Sequence, residues 1–151
     1  MVSTFDDIFS RFYLRVEDYN IVGLEEEIVK EMLGGYLKSV ATKPFVRRLF
    51  SSITVDADVE EVNYTMRESW GEDEDKEFVE ELFALGMVAE WVGQKYHSMQ
   101  NTSQFFSNSD LRFFSQANHM AELKEMYSKA QTDLRKYIRD RGYSLGLVNS
   151  E

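Results

Sequence analysis

Apolar side chains recur at intervals of three and four residues along four stretches of the chain, which places them on one face of an α-helix in each stretch. The first stretch covers residues 3–16. Ser3 and Thr4 are candidate N-caps there, and Asp6 and Asp7 follow in the first turn, where carboxylates favour the helix dipole. We therefore predict a first helix that buries an aromatic stripe.

The second predicted helix spans about residues 24–43 and stops before Pro44, because the residue that precedes a proline disfavours the helical conformation. Its apolar stripe is broad, so most of one side must be buried. Gly34 and Gly35 lie in its interior, where each glycine costs up to about 1 kcal/mol relative to alanine. We expect either a kink or an unusually close neighbouring backbone there, and we favour the close approach.

The third helix is predicted over about residues 75–96, and it is apolar on nearly every side, which indicates a central position. The final helix is predicted over about 116–141, with Gly142 as its C-cap. Its apolar residues form a narrow, heptad-like seam. The seam consists of Met120, Leu123, Tyr127, Ala130, Leu134 and Tyr137.

Two connecting segments have unusual compositions. Residues 45–72 mix β-branched and acidic residues, which favours an extended arm or a hairpin. Residues 97–116 form a polar linker that nevertheless contains four phenylalanines, which either cover the core as a lid or anchor another chain. These are Phe105, Phe106, Phe113 and Phe114.

Together the elements predict an all-α fold, a bundle of about four helices within one domain over residues 1–141. Residues 45–72 would be an inserted arm or loop of this bundle. The remaining residues, 142–151, form a C-terminal tail that follows a basic helix, and we expect this tail to dock on a partner. Its apolar members are Tyr143, Leu145, Leu147 and Val148.

The net charge of −10 is concentrated in one segment. Residues 56–81 hold twelve acidic residues against Arg67 and Lys76. Such a field argues against binding DNA or an anionic membrane through this surface, because phosphate binding requires clustered Lys and Arg. No uncharged apolar run approaches the ~20 residues of a membrane span, so we expect no membrane partner.

A calcium loop is the sharper interpretation of the alternate acids Asp56, Asp58 and Glu60, but the pattern does not fit. Glu61 stands where the sharp turn requires glycine, and Arg67 stands where the bidentate glutamate belongs. We therefore predict no metal and no cofactor.

Catalytic signatures are weak throughout the chain. The sequence has no cysteine, and His97 and His119 are its two imidazoles. No serine lies in a Gly-x-Ser-x-Gly elbow, and Gly34 and Gly35 lack the flanking strand and Lys-Ser/Thr of a phosphate loop. Abundant carboxylates alone do not define a catalytic pair. The sequence therefore predicts a protein that is not an enzyme.

Three segments carry a family resemblance: MLGGYLKSVATK in the second helix, LFALGMVAEWVGQKYHSMQN in the third, and FFSNSDLRFFSQANHMAELKEMY at the final one. Together they resemble the head-tail connector proteins of long-tailed bacteriophages, also called adaptor, neck or head-completion proteins. The resemblance spans about residues 4–141 and fails over 45–72. Its most specific part is FFSQANHMAEL, residues 113–123.

The resemblance implies a structural virion protein without enzymatic activity. Such proteins form a ring of about twelve copies beneath the portal protein after DNA packaging, extend the DNA channel, and provide the platform for the next neck or tail protein. DNA passes through without sequence-specific binding. The implied location is the neck of the virion, between capsid and tail, after synthesis in the host cytoplasm.

The resemblance also implies portal contact through a C-terminal segment, which maps here onto residues 135–148. In that segment we expect contacts to the portal or a neighbouring subunit from Arg135, Arg139, Arg141, Tyr143, Leu145 and Leu147. Opposite charges on the acidic arm and the basic last helix can pair between neighbours, although exposed pairs contribute only about 0–1 kcal/mol each.

An acidic channel lining would let DNA pass without adhering, and the candidates for this lining are Glu72, Asp73, Glu74 and Asp75. The alternative function is an acidic, DNA-mimicking inhibitor of a nucleic-acid enzyme, suggested by the net charge alone. Mimicry needs acids spread along one face, whereas these acids cluster in one segment.

Overall fold

The computed structural model describes residues 1–16, 26–103 and 110–146, with side chains over 1–16, 29–98 and 119–146. Within those ranges the chain forms five helices and three strands. The helices are α1 (Phe5–Arg15), α2 (Glu26–Thr42), α3 (Pro44–Arg47), α4 (Glu72–Ser103) and α5 (Asp110–Ser144), and the strands are β1 (Val2–Thr4), β2 (Phe50–Asp56) and β3 (Glu61–Met66).

The predicted all-α class is wrong, because the strands form an antiparallel sheet of order β1-β3-β2 beside the helices. The fold is mixed, although it is mostly helical. β2 and β3 make a hairpin inside the segment 45–72, and β1 pairs with β3 from Val2 opposite Asn63 to Thr4 opposite Glu61. The hairpin is one of the two alternatives predicted for this segment, whereas β1 was not foreseen, because it has only three residues and owes its conformation to partners some 60 positions away.

The hairpin is part of the core rather than an inserted arm. Along β3 the side chains of Val62, Tyr64 and Met66 are buried while those of Asn63 and Thr65 are exposed. This alternation of period two packs one face of the sheet against the helices and leaves the other to solvent.

Helix α1 begins as its sequence predicts, with Thr4 as the N-cap. The Thr4 hydroxyl accepts a hydrogen bond from the backbone N–H of Asp7 at 3.2 Å, which satisfies a donor of the first turn. The buried stripe then packs on α4, where the rings of Phe12 and Trp91 meet edge to face at 6.2 Å.

Helices α4 and α5 form a long antiparallel pair, and α4 is central as predicted. Its glycines allow close packing: a Cβ on Gly86 would lie 2.6 Å from Val40 Cγ1, and one on Gly93 would lie 2.8 Å from Tyr127 Cε1. Among the described residues, the close approach expected at Gly34 and Gly35 is absent: the nearest atom to a Cβ on Gly34 is 3.9 Å away, and a Cβ on Gly35 meets nothing within 4 Å.

The predicted polar linker over 97–116 is shorter than expected. Residues 97–103 continue α4 and residues 110–116 belong to α5, so that both helices are longer than their apolar seams. The C-terminus of α5 also differs from expectation. Gly142 lies inside the helix, and the chain leaves it at Gly146, which has a φ of +71°.

A candidate interaction surface at the start of α4 and the end of α5

A buried ion pair joins the end of α5 to the start of α4. Arg141 Nη2 donates to Asp75 Oδ1 at 3.0 Å and to the backbone carbonyl of Glu68 at 2.7 Å. Asp75 also accepts from the Ser69 hydroxyl at 2.6 Å and from the Trp70 N–H at 2.9 Å. Because Asp75 is 1% exposed and Arg141 is 7% exposed, this cluster is shielded from water.

The guanidinium of Arg141 is not fully satisfied by these partners. Its Nη1 atom is buried without a hydrogen-bond partner among the described residues. The Arg141 Cζ lies 4.5 Å from the centroid of the Phe78 ring, which adds a cation–π contact. Burial lowers the pKa of Arg141 from its ordinary value, and the negative charge of Asp75 opposes that shift. The cluster therefore keeps one donor free beside a surface cavity.

That cavity is a groove of about 580 Å³ between α5, α3 and the base of the hairpin, and we call it the arginine groove. Its volume is typical of ligand-binding clefts, which measure about 300–1,000 Å³. Apolar side chains supplied by all three elements line it, namely Phe45, Leu49, Met66, Ile138 and Leu145. Five arginines also line it, namely Arg48, Arg67, Arg135, Arg139 and Arg141.

The charge of the arginine groove is largely uncompensated. Glu68 is the one acid that lines it, and within the described residues none of its arginines other than Arg141 has a carboxylate within 4.0 Å. Arg135 instead lies with its Cζ 5.2 Å from the Phe45 ring. Clustered cations above a low-dielectric floor focus a positive field. The groove is therefore suited to an acidic ligand that also brings an apolar side chain.

On the other side of Arg141 lies a cleft of opposite character, with a volume of about 520 Å³. Its lining combines aromatic and acidic side chains, among them Trp70, Phe78, Asp73 and Asp140. Trp70 is 55% exposed, which is unusual for so large an apolar side chain. Both charge types therefore meet at this end of the molecule.

Part of the acidic segment is neutralised inside the protein. Arg11 on α1 donates to Glu77 at 2.8 Å and lies within 3.4 Å of Glu80 and 3.2 Å of Glu81, and Arg15 also pairs with Glu81. The hydrogen bond from Arg11 lowers the pKa of Glu77 below its ordinary value, and the same bond raises the pKa of Arg11. These acids consequently hold α1 against α4.

A second group of acids lies at the exposed turn between β2 and β3, residues 56–61, which we call the hairpin tip. Asp56 Oδ1 accepts from the backbone N–H of Asp58 at 3.0 Å and so shapes the turn. Glu60 has a φ of +55°, and its carbonyl accepts from the Phe5 N–H at 2.9 Å. Val59 is 60% exposed at the outermost point. The tip therefore presents an aliphatic side chain among carboxylates.

The predicted partner-binding residues divide into three groups. Arg135, Arg139, Arg141 and Leu145 come together in the arginine groove, and Tyr143 is 43% exposed near its end. The structure does not describe the side chains of the other two groups. Phe105, Phe106 and Leu147 fall outside the described residues, and the side chains of Phe113 and Phe114 fall outside the described side chains.

The four predicted channel-lining acids do not form one set. Glu72, Asp73 and Glu74 are exposed on the first turn of α4. Asp75 is buried against Arg141, so the structure removes it from the candidate lining. The physical reason is that the adjacent position on a helix points about 100° away, and here that direction faces α5.

Sequence reasoning missed Arg48 and Arg67 as members of the groove. They are 19 positions apart in the sequence. The backbone hydrogen bonding between β2 and β3 continues past the base of the hairpin, where the Arg67 N–H donates to the Leu49 carbonyl at 3.0 Å. Neither residue belongs to a local motif. Only the pairing of the hairpin could have placed them together.

Among the side chains that the structure describes, no group of three or more His, Asp or Glu residues is placed to hold a metal ion. No helix in the described ranges has the length and apolar character needed to cross a bilayer. No family model, curated protein or solved structure matches the chain.

Proposed function

We propose that this protein is a structural head-tail connector of a tailed bacteriophage. In this role it forms a ring of about twelve copies beneath the portal protein, extends the DNA channel, and provides the attachment platform for the next neck or tail protein. It works by shape and adhesion, and no covalent bond is made or broken. The family resemblance of residues 32–43, 82–101 and 105–127 suggests this role.

The structural observation that supports the proposal best is the arginine groove. It combines an apolar floor with uncompensated cations, and the buried Asp75–Arg141 pair fixes one of its walls. A surface that is already ordered loses little side-chain entropy when it binds. Such a surface suits a subunit whose task is to hold neighbouring proteins in a fixed geometry.

We further propose that Glu72, Asp73 and Glu74 face the DNA channel in the assembled ring. Carboxylates there would repel the phosphate backbone and let DNA slide. The test replaces all three with their amides and measures DNA ejection. The matched control makes the same charge change at Glu122, Glu125 and Asp133, which are exposed on α5. Slower ejection in the first variant alone supports the lining, and equal ejection in both contradicts it.

The DNA-mimic alternative loses support from the distribution of the acids. They lie in two places, the hairpin tip and the first part of α4. Several of the carboxylates on α4 form ion pairs within the protein, including Asp75 with Arg141 and Glu77 with Arg11. A mimic requires a continuous row of free carboxylates. We therefore expect no inhibition of nucleases or of host transcription by the purified chain.

The experiment that tests the connector role combines the chain with the portal protein of the same phage. We expect the isolated chain to be monomeric or weakly associated and to form rings when portal is added. Mass spectrometry of purified virions should then find the chain at a copy number matching a ring. A tight dimer that shows no affinity for portal would overturn the proposal.

A further inference from the structure

The two oppositely charged surfaces of this protein lie at opposite ends of one hairpin. The arginine groove adjoins the base, where Phe50 pairs with Met66, and the hairpin tip lies beyond the last pair, Asp56 with Glu61. Six steps along β2 at about 3.3 Å each separate the two ends by roughly 20 Å. A single copy therefore cannot place its own tip in its own groove.

We propose that the hairpin tip of one copy docks into the arginine groove of the next copy. The proposal rests on the connector role for the ring that results, but the contact itself is a property of the isolated chain. It gives the ring a specific lateral joint and leaves residues 147–151 available for the portal.

Charge and shape both favour this occupant. The tip brings Asp58, Glu60 and Glu61 to a groove whose rim arginines lack acidic partners. Between those carboxylates Val59 is 60% exposed, and it matches the apolar floor of the groove. Ionised hydrogen bonds between guanidinium and carboxylate are the stronger kind.

The other exposed acids are poorer candidates for the occupant. Glu72, Asp73 and Glu74 carry no aliphatic side chain among them, and Asp73 and Glu74 line the cleft on the other side of Arg141 in the same copy. They would leave the apolar floor of a neighbouring groove uncovered. The hairpin tip offers both carboxylates and an exposed aliphatic group on one short turn.

Docking of a tip into a groove is a head-to-tail contact. Each copy contributes its hairpin tip to one neighbour and its arginine groove to the other. The contact therefore repeats from copy to copy, and it yields a ring when the rotation between successive copies closes on itself. A two-fold dimer, in contrast, would use the same patch on both copies. This difference in symmetry makes the proposal testable without knowing the partner proteins.

Cysteine cross-linking tests the contact directly, because the chain contains no cysteine of its own. The double variant V59C/L145C should give a ladder of disulfide-linked multimers under mild oxidation. An internal disulfide is excluded, since the two Cα atoms must approach within about 7 Å. The control is V59C/L14C, in which the second cysteine lies on a side chain of α1 that is 74% exposed, more accessible than the half-buried Leu145, so that random collisions favour the control.

A mixture of two charge variants tests the direction of the contact. D58N/E60Q removes two carboxylates from the tip and keeps the groove, whereas R135E/R139E reverses two charges of the groove and keeps the tip. Each variant alone should stay at the 17.7 kDa mass of one chain. At the high concentrations that a weak contact requires, an equimolar mixture should form a dimer of twice that mass and nothing larger, because only one tip–groove pair remains intact. Circular dichroism confirms that both variants are folded.

A ladder from V59C/L145C that exceeds the V59C/L14C control, together with a dimer in the mixture, supports the docking. No excess ladder, or a mixture that stays monomeric, overturns it. If the wild type forms portal-dependent rings while R135E/R139E loses portal binding and no ladder appears, the groove is the portal site. In that case the docking proposal fails and the connector role stands.

Discussion

Arg141 and Asp75 are 66 positions apart in the sequence, and their side chains meet at 3.0 Å in a site from which water is excluded. The pair joins the last turns of α5 to the first turn of α4. It also separates the arginine groove from the acidic, aromatic cleft beside it, because Arg141 lines both. The same guanidinium therefore belongs to the buried pair and to both surface clefts.

The first prediction concerns this pair. D75N leaves the buried Arg141 cation without its counter-charge, and the free energy of unfolding should fall by about 3–5 kcal/mol. R141M should cost a similar amount, since it leaves the buried Asp75 carboxylate with only the Ser69 hydroxyl and the Trp70 N–H as partners. The double variant D75N/R141M should recover part of the loss. Urea denaturation of the four proteins measures this cycle, and simple additivity of the two single effects contradicts a coupled pair.

The second prediction concerns the packing of α4 on α2. G86A places a methyl group 2.6 Å from Val40 Cγ1, and we expect a loss of about 1–3 kcal/mol from overpacking. The second-site change V40A should relieve it. The control is G35A, whose added methyl group meets nothing within 4 Å and should stabilise the helix by about 0.5–1 kcal/mol. Equal effects of G86A and G35A would contradict the close approach.

Much of the helical framework could be predicted from the sequence. The stripe of α1, with its cap at Thr4, and the all-round apolar character of α4 are local signals, and both are confirmed. The burial of Leu123, Ala130 and Leu134 likewise follows from the seam of α5. These features depend on spacing within one element, which the sequence displays directly.

The sheet and the site could not be predicted in the same way. β1 forms because Val2, Ser3 and Thr4 pair with β3. The arginine groove forms because the hairpin brings Arg67 next to Leu49. These are consequences of long-range pairing. The mixture of β-branched and acidic residues over 45–72 favoured an arm or a hairpin, and the structure has the hairpin. In the sequence Asp75 cannot be distinguished from the exposed acids Glu72, Asp73 and Glu74, because its partner Arg141 lies on α5.

The third prediction concerns pH. Because the hydrogen bond from Arg11 lowers the pKa of Glu77 below its ordinary value of 4.5, the bond stabilises the fold fully above that value. The stabilisation is lost as the pH falls through the lowered pKa of the folded state. Since Glu77 is largely exposed, the effect should stay below about 1 kcal/mol. The stability gap between wild type and E77Q, measured by denaturation, should shrink on acidification.

The matched comparison for the pH effect removes the other partner. In R11M the ion pairs to Glu77, Glu80 and Glu81 are lost together, so the stability should fall further at neutral pH than in E77Q. In the R11M background, adding E77Q should have no further pH-dependent effect. A gap that persists unchanged in acid would show that Glu77 does not act through Arg11.

The fourth prediction separates the tail from the domain. Because α5 ends at Ser144 and Gly146 turns the chain, removing residues 147–151 should leave the circular dichroism spectrum and the unfolding midpoint unchanged. The same truncation should abolish attachment to portal. A loss of helicity would mean that the tail belongs to the core. As a control, R135E/R139E in the full-length chain should impair the lateral contact more than the attachment to portal.

The connector role itself is tested most directly by electron microscopy of the purified chain mixed with the portal protein of its phage. The account predicts a ring of density coaxial with the portal, with about twelve subunits and an open channel along the axis. Portal rings that carry no added density, with the chain remaining a separate monomer or dimer at the same concentrations, would contradict it.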